Sequence, residues 1–310
     1  MGRKTIYSKA EQPNQLNRIS PATNTVFHIL LLIFAVLCIV PLVLVFMVSV
    51  SSEASLAANG YRFIPSSFSG AAYSFLWNER ATILHALWIS VLVTVLGTVL
   101  GLLLTSTMGY VLSRPGFRLK GFFTYIVFIP MIFNGGMLAN YVVTNNLLGL
   151  GNNILALILP LAVSSFNIVI CKTFFKSTIP ESIIESAKID GAAQFRIFGS
   201  IVLPISKPVL ATIGLFLSFG YWNDWFQSSL YITDGRLFSL QALLNKMITQ
   251  IQYIAGNPSA GASLQQYISQ MPTEGVRMAI AVVVVIPIAC AYPFFQKYFI
   301  SGLTIGAVKG

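Results

Sequence analysis

Long apolar runs separated by polar interruptions organise this sequence. Six runs stand out: Val26–Val50, Ile83–Leu112, Phe122–Val143, Ile154–Phe175, Val209–Ile232 and Met278–Phe299. Each reaches the roughly 20 residues that an α-helix needs to cross the hydrocarbon core of a bilayer. The first is too long for the apolar core of a signal peptide and lacks a persuasive cleavage site, so it reads as a retained helix. The pattern predicts an all-α polytopic membrane protein with six transmembrane helices. Its expected parts are an N-terminal tail over residues 1–25, a six-span domain over 26–299 and a C-terminal tail over 300–310.

Two interruptions are long enough to carry structure of their own, 178–208 and 233–277. In the first, Thr178 and Glu181 have capping-box spacing, and Pro180 falls in the first turn, where its missing N–H costs nothing. The helix that starts there places Ile179, Ile183 and Ala187 on one face, and Glu181, Glu185 and Lys188 on another. Gly191 supplies a left-handed stop. Asp190 is placed to cap a second short helix, in which Phe195, Phe198 and Val202 share an apolar face and which Pro204 ends. The expected shape is helix, sharp turn, helix, lying along the membrane surface. Two carboxylates on one short face match an anionic leaflet poorly and a protein groove better. In 233–277, Leu237, Leu240, Leu244, Met247, Ile248 and Ile251 recur at three- and four-residue steps, the mark of an amphipathic helix. Periodicity leaves two places open for it, the membrane surface or the outer mouth of the protein.

Composition agrees with the pattern, and charge adds an orientation. Of 310 residues, 55% are hydrophobic and 9% charged, against about 25% charged in a soluble domain. The net charge of +10 raises the question of nucleic acid. Its distribution gives a different answer. Fourteen of the Lys and Arg residues lie in the N-terminal tail, the 113–121 turn, 172–208 and the C-terminal end; only Arg62, Arg80, Arg236, Lys246 and Arg277 lie in the opposite loops. The positive-inside rule then puts both termini and 178–208 in the cytoplasm of a cell whose plasma membrane the chain crosses. Topology accounts for the basic charge, and nucleic-acid binding loses its support. Cys38, Cys171 and Cys290 sit far apart in apolar runs, with neither metal nor disulfide spacing.

Catalytic chemistry finds no foothold in the chain. There is no G-x4-G-K-[ST] phosphate loop and no acidic motif suited to magnesium, so ATP and Mg are not expected on this chain. His28 and His85 lie far apart at or in apolar runs, and no nucleophile–base pairing is visible. Ionisable groups inside spans are functional candidates, and Asp224 is the outstanding one. Tyr221, Trp222, Asn223, Asp224 and Trp225 offer, within two turns, aromatic faces and polar groups of the kind that hold a sugar. The same cluster reads equally as an interfacial aromatic belt with Asp224 reaching outward. Ile129–Asn140, with Pro130, Gly135 and Gly136, reads either as an ordinary kink or as a broken helix end lining a solute path, with Asn134 and Asn140 its polar groups. Gly97, Gly101 and Gly109 permit close helix packing.

At Glu185-Ser186-Ala187, Gly191 and Ile201-Val202-Leu203-Pro204 the sequence resembles the EAA signature of ABC importer membrane subunits, E-A-A-x-x-x-G-x9-I-x-L-P, with Ser186 for alanine the one departure. Phe133–Gly136, Leu147–Leu150, Tyr221–Asp224, Gln296–Phe299 and Gly302–Gly310 extend the likeness over nearly the whole chain. They resemble carbohydrate-importer permeases of the maltose-transporter class, within the MalG-like branch of LplC/YtcP type. The resemblance implies the type I ABC importer permease fold. It implies that Glu185, Ser186, Ala187, Asp190, Gly191, Phe195, Ile201, Leu203 and Pro204 form a coupling segment seated in a cleft of an ATP-binding subunit. Val308, Lys309 and Gly310 would reach the same partner. A second homologous permease, two ATP-binding subunits or domains, an extracellular solute-binding lipoprotein and a carbohydrate, an oligosaccharide within that class, complete the implied assembly. Two other readings stand beside it. One is an importer for amino acids, peptides or anions, which shares the EAA segment. The other is an ATP-independent secondary transporter, which a single carboxylate within six spans fits poorly.

Overall fold

The computed structural model describes residues 20–256 and 273–307. α1 (Pro21–Ser49) starts where the Ser20 hydroxyl accepts the Thr23 N–H at 3.2 Å and Pro21 pre-sets the first turn. Its apolar side chains are exposed along most of its length, a surface suited to lipid. The chain then makes two short helices, α2 (Glu53–Asn59) and α3 (Ala71–Asn78), with an isolated antiparallel bridge between Ser51 and Phe68.

α4 (Arg80–Ser113) is the axis of the fold. At 34 residues it is about 50 Å long, well beyond the roughly 30 Å hydrocarbon core. Two later helices, α8 (Ser165–Thr178) and α11 (Lys207–Trp222), pack along it. The three glycines expected to permit this do so. A Cβ on Gly97 would overlap the Tyr221 ring, one on Gly101 would lie 2.8 Å from the Ala162 carbonyl oxygen, and one on Gly109 would lie 2.9 Å from Cβ of Cys171.

Among the described residues, three helices are long and apolar enough to cross a bilayer unaided: α1, α4 and the 273–290 part of the final helix α14 (Thr273–Ala307). The other three runs are broken. The third, expected as one helix over 122–143, divides into α5 (Lys120–Ile132), α6 (Gly136–Tyr141) and a wider π-type turn over Val142–Leu147. Phe133 is extended, Gly136 takes φ +79°, and the Asn134 side chain accepts the Gly136 N–H at 2.9 Å. Of the two readings of Ile129–Asn140, the break is the one realised. The fourth run bends by 49° between α7 (Leu155–Ala162) and α8.

The fifth run, expected to continue from 209 to 232, stops at Trp222 and resumes as α12 (Phe226–Tyr231). The reason is local: the Asp224 carboxylate turns onto the Gln227 N–H at 3.2 Å, a capping bond that competes with continued helix.

The amphipathic helix of the second interruption is α13 (Leu240–Gly256), and it begins three residues later than its apolar pattern, because Gly235–Leu237 form a 3-10 turn. Its place is decided. Leu240 and Leu244 are buried with Ile83, Ala86, Trp222, Val276 and Ile280, so the helix packs over the ends of α4 and α14. Polar bonds finish that end. Tyr61 donates to Glu274 Oε2 at 2.6 Å, which raises the tyrosine's pKa above its ordinary value, and Glu53 Oε1 accepts the Gly275 N–H at 2.9 Å in the first turn of α14. The expected tail contacts of Val308, Lys309 and Gly310 lie outside the described residues.

Candidate functional site

Two regions hold the residues singled out by sequence. The first is 178–208. Its first helix, α9, is Glu181–Ile189, and the capping box does not form: Thr178 is the last residue of α8, and Pro180 stands at the cap position without a side-chain bond. Continuation of α8 as far as Thr178 takes that side chain away from α9. The buried face also differs from the expected one. Ile179, Ile184 and Ala187 are buried while Ile183 is exposed, because the helix starts at Glu181 and the inward stripe runs through Ile184 and Ala187.

The stop at Gly191 is as read from sequence, with φ +77°. The Ala192 N–H reaches the Ala187 carbonyl at 2.9 Å and the Gly191 N–H reaches that of Lys188 at 3.0 Å. These are the two bonds of a Schellman closure, and Ala187 and Ala192 supply its apolar contact. Asp190 ends α9 rather than capping the next helix; Ala193 occupies that cap position.

The second helix, α10 (Gln194–Ile205), carries a π-type turn over Phe198–Val202. It meets α11 at 82°, the turn falling at buried Ser206 rather than at Pro204, which stays helical. Its inward residues are Ile197 and Val202. Phe195, expected on that face, is instead 91% exposed, since it stands two residues from Ile197 on the outer side. The buried residues join Tyr110, Phe175 and Ile213 in one cluster, with the Tyr110 and Phe198 rings 5.2 Å apart. The outward face is a patch of Glu185, Ser186, Asp190, Gly191, Phe195 and Ile189, the last 86% exposed. Ile201 and Leu203 are half-buried and Pro204 is exposed. The unit is a braced two-helix elbow that presents apolar knobs and carboxylates to whatever lies beyond it.

The second region is the break at 223–225. Tyr221 is buried, its hydroxyl donating to the Ile158 carbonyl at 2.7 Å and its ring seated on Gly97. Those contacts give it a packing role. Asn223 bonds back to the Phe219 carbonyl at 3.0 Å, and Asp224 caps α12 while its own carbonyl accepts the Ser239 hydroxyl at 3.1 Å. Trp225 is exposed, edge-on to Phe226.

Trp222 differs from these. It is 8% exposed, its indole N–H is buried without a partner among the described residues, and it lines a cavity of about 390 Å³ between α4, α11 and α14. Thr94, whose hydroxyl is likewise buried and unpartnered, shares that cavity with Thr98 and Ser218, which bond each other at 3.1 Å. Periodicity carried the signal for these three: Thr94/Thr98 and Ser218/Trp222 are i, i+4 pairs inside apolar runs, and sequence reasoning passed over the small hydroxyls. Asn140 lines another cavity, of about 370 Å³, with Gln227 and Tyr231, whereas Asn134 is spent on the Gly136 turn. Among the described residues no group of three His, Cys, Asp or Glu could hold a metal ion.

Membrane-length and broken helices with a braced elbow at one end are the architecture of a polytopic membrane protein. Residues 97–305 match the family described as binding-protein-dependent transport system inner membrane component, and the chain belongs to it. It is therefore an inner-membrane permease subunit, and members of this family work with a partner permease, an ATPase and a solute-binding protein. The protein LplC of Bacillus subtilis is 37% identical over 88% of this chain and 90% of its own length. The polygalacturonan/rhamnogalacturonan transport system permease protein YtcP of the same organism is 38% identical over 90% of this chain and 96% of its own. Among solved structures, that of a bacterial ABC transporter involved in the import of the acidic polysaccharide alginate superposes with a TM-score of 0.77. It is 28% identical and covers 91% of this chain and 99% of its own.

Proposed function

We propose that this chain is one of two permeases in an ABC importer for carbohydrate, an oligosaccharide within that class, and that the elbow at 178–208 transmits force from a partner ATPase. The observation that carries the coupling role is the exposure of Phe195 and Ile189 on a segment whose other face is locked by buried Ile184, Ile197 and Val202. Exposed apolar knobs on a rigid mount suit a groove in another protein. ATP and Mg belong to two partner subunits or domains. Their closure, favoured by differential affinity for ATP, would push the elbow and tilt the helices joined to it. The termini and 178–208 lie in the cytoplasm, on the charge asymmetry of the loops, and a lipoprotein delivers solute to the α13 end. The tail Val308–Gly310 is assigned to the ATPase by resemblance alone.

Carbohydrate is supported by what the relatives' names say they transport, and by the cavity at Trp222. Trp222 beside two threonines and a serine gives an otherwise apolar wall an aromatic ring and hydroxyl-bearing side chains, the mixture sugars require. Desolvated polar groups without partners cost free energy, which a hydroxyl-rich solute could recover.

Cysteine at Phe195 tests the coupling role. In the assembled importer it should be shielded from a hydrophilic maleimide, and stripping the ATPase subunits should expose it. Equal labelling before and after stripping would remove the elbow from the interface. Competition of uptake by neutral and acidic oligosaccharides, amino acids and peptides tests the solute class.

A further inference from the structure

A second feature of the elbow is a cavity of about 440 Å³ between it and the turn after α4. Val111, Phe117 and Phe198 give it apolar walls, and the exposed Phe195 ring stands at its rim. Two cations line it. Arg114 stacks over the Tyr110 ring at 5.2 Å and gives its Nε to Ser113, but its terminal nitrogens make no hydrogen bond or ion pair among the described residues. The Lys188 ammonium makes none either. Tyr110, 7% exposed, also lines the cavity, and its buried hydroxyl has no partner among the described residues. A lysine without a partner among the described residues, an arginine with unpaired terminal nitrogens and an aromatic trough are together a site for a ligand with an anionic head and an apolar body.

We propose that this cavity binds one anionic phospholipid of the cytoplasmic leaflet, its phosphate at Arg114 and Lys188 and its chain along Phe117, Phe195 and Phe198. The inference rests on the orientation proposed above, which puts this end of α4 at the leaflet where acidic lipids concentrate. A free phosphate would use the cations and leave the trough empty. The ATPase is assigned the opposite surface, since Glu185 and Ile189 do not line the cavity. Phe195 belongs to both faces. A lipid chain packed on one side of its ring would fix the knob presented on the other, so that coupling strength follows membrane composition. Glu181 also lines the cavity and carries the wrong sign for an anion; its removal should strengthen binding, a gain that general damage to the fold does not mimic.

The complete importer, reconstituted in phosphatidylcholine or in an equal mixture with phosphatidylglycerol, is extracted and its retained phosphatidylglycerol measured. Arg114→Gln and Lys188→Gln should each lower retention about fivefold, the effect of one cation near an anionic surface, and Glu181→Gln should raise it. Arg114→Lys should keep most of the binding. Equal retention by wild type and the double variant overturns the site. So does displacement by inorganic phosphate alone, which would make it a free-anion site. Cross-linking of cysteine at Phe117 to the ATPase in place of lipid retention would give the cavity to that subunit. If Phe195 proves unshielded while retention still tracks the cations, the lipid site stands and only its link to coupling falls.

Discussion

Both ends of α4 are packed, but only at one is the segment packed against it also tied by side-chain polar bonds. From Ile179 to Ser206, no side chain makes a hydrogen bond or ion pair among the described residues; the elbow is fixed by burial of Ile179, Ile184, Ile197 and Val202 and by its own backbone closure at Gly191. At the opposite end a buried cluster is also present, with Leu240 and Leu244 on Ile83, Ala86, Val276 and Ile280, and side-chain polar bonds are added to it. Asn152, in left-handed conformation at φ 55°, accepts the Thr233 and Asp234 N–H groups and donates to the Thr233 hydroxyl at 2.7 Å. Ser90 accepts the Leu240 N–H at 2.7 Å, and the His85 ring lies 2.8 Å from the Arg236 carbonyl. A packed core compresses little and passes a push onward, which suits the end proposed to meet an ATPase. Hydrogen bonds worth about 1 kcal/mol each can be exchanged for others, which suits the end proposed to open and receive the solute-binding protein.

The contrast between the ends is broken most directly at Gly191. A β-branched residue there meets a backbone that L residues adopt at a cost of about 1–2 kcal/mol. Relief of that strain would shift the turn between two packed helices. Gly191→Val should lower uptake about tenfold or more while ATP hydrolysis and membrane insertion persist. Uptake at the wild-type rate would mean that the elbow geometry carries no force.

Matched deletions at the two ends sharpen the contrast. Ile197→Ala leaves a cavity in the packed elbow and should cost about 2–5 kcal/mol of stability. Asn152→Ala loses exposed polar bonds and should cost about 1–2 kcal/mol, with opening of the 231–239 stretch rather than of the whole chain. Denaturant titration in detergent and hydrogen exchange on the same samples separate the two. A larger loss from Asn152→Ala would reverse the assignment of forces.

Between the ends, Trp222→Phe keeps an aromatic face, smaller by one ring, and removes the unpaired N–H. If a sugar hydroxyl meets that donor, uptake should fall about fivefold, the worth of one hydrogen bond, with basal ATP hydrolysis unchanged. Unchanged uptake would return the cavity to packing against the second permease.

Sequence made the elbow legible because its signals are local: a glycine at a left-handed stop, and apolar residues at helical spacing. It misjudged Phe195 and Ile183 because the start of α9 is set by the length of α8, a property of packing on α4 that no window of sequence contains. The uninterrupted spans α1 and α4 were legible from length alone. The break at 223–225 was not, because Asp224 invited a reading as a ligand while its carboxylate turns onto the Gln227 backbone. The cavity at Trp222 was half legible. Its tryptophan lay in a conspicuous aromatic cluster, whereas Thr94 and Thr98 join it only once α4 and α11 cross at Gly97.

The smallest effect expected is a titration. Asp234 and Arg236 pair at 2.8 Å at the α13 end, and hydrogen bonds from the Arg236 side chain and then its N–H hold the Asp234 carboxyl below its ordinary range. A depressed folded-state pKa contributes stability above the unfolded value of about 3.9 and loses it as pH falls through the lower folded value. Both groups are exposed, so solvent screens the pair and its contribution is small. Exchange of the Arg236 amide, divided by its intrinsic rate at each pH, should therefore be flat from neutral to mildly acid conditions and accelerate only below the usual carboxylate range. Arg236→Ala should move that acceleration up to the ordinary range, with the amides of α9 as the reference for drift. Acceleration already near neutrality would show that a different group, with a raised pKa, fastens this end of the molecule.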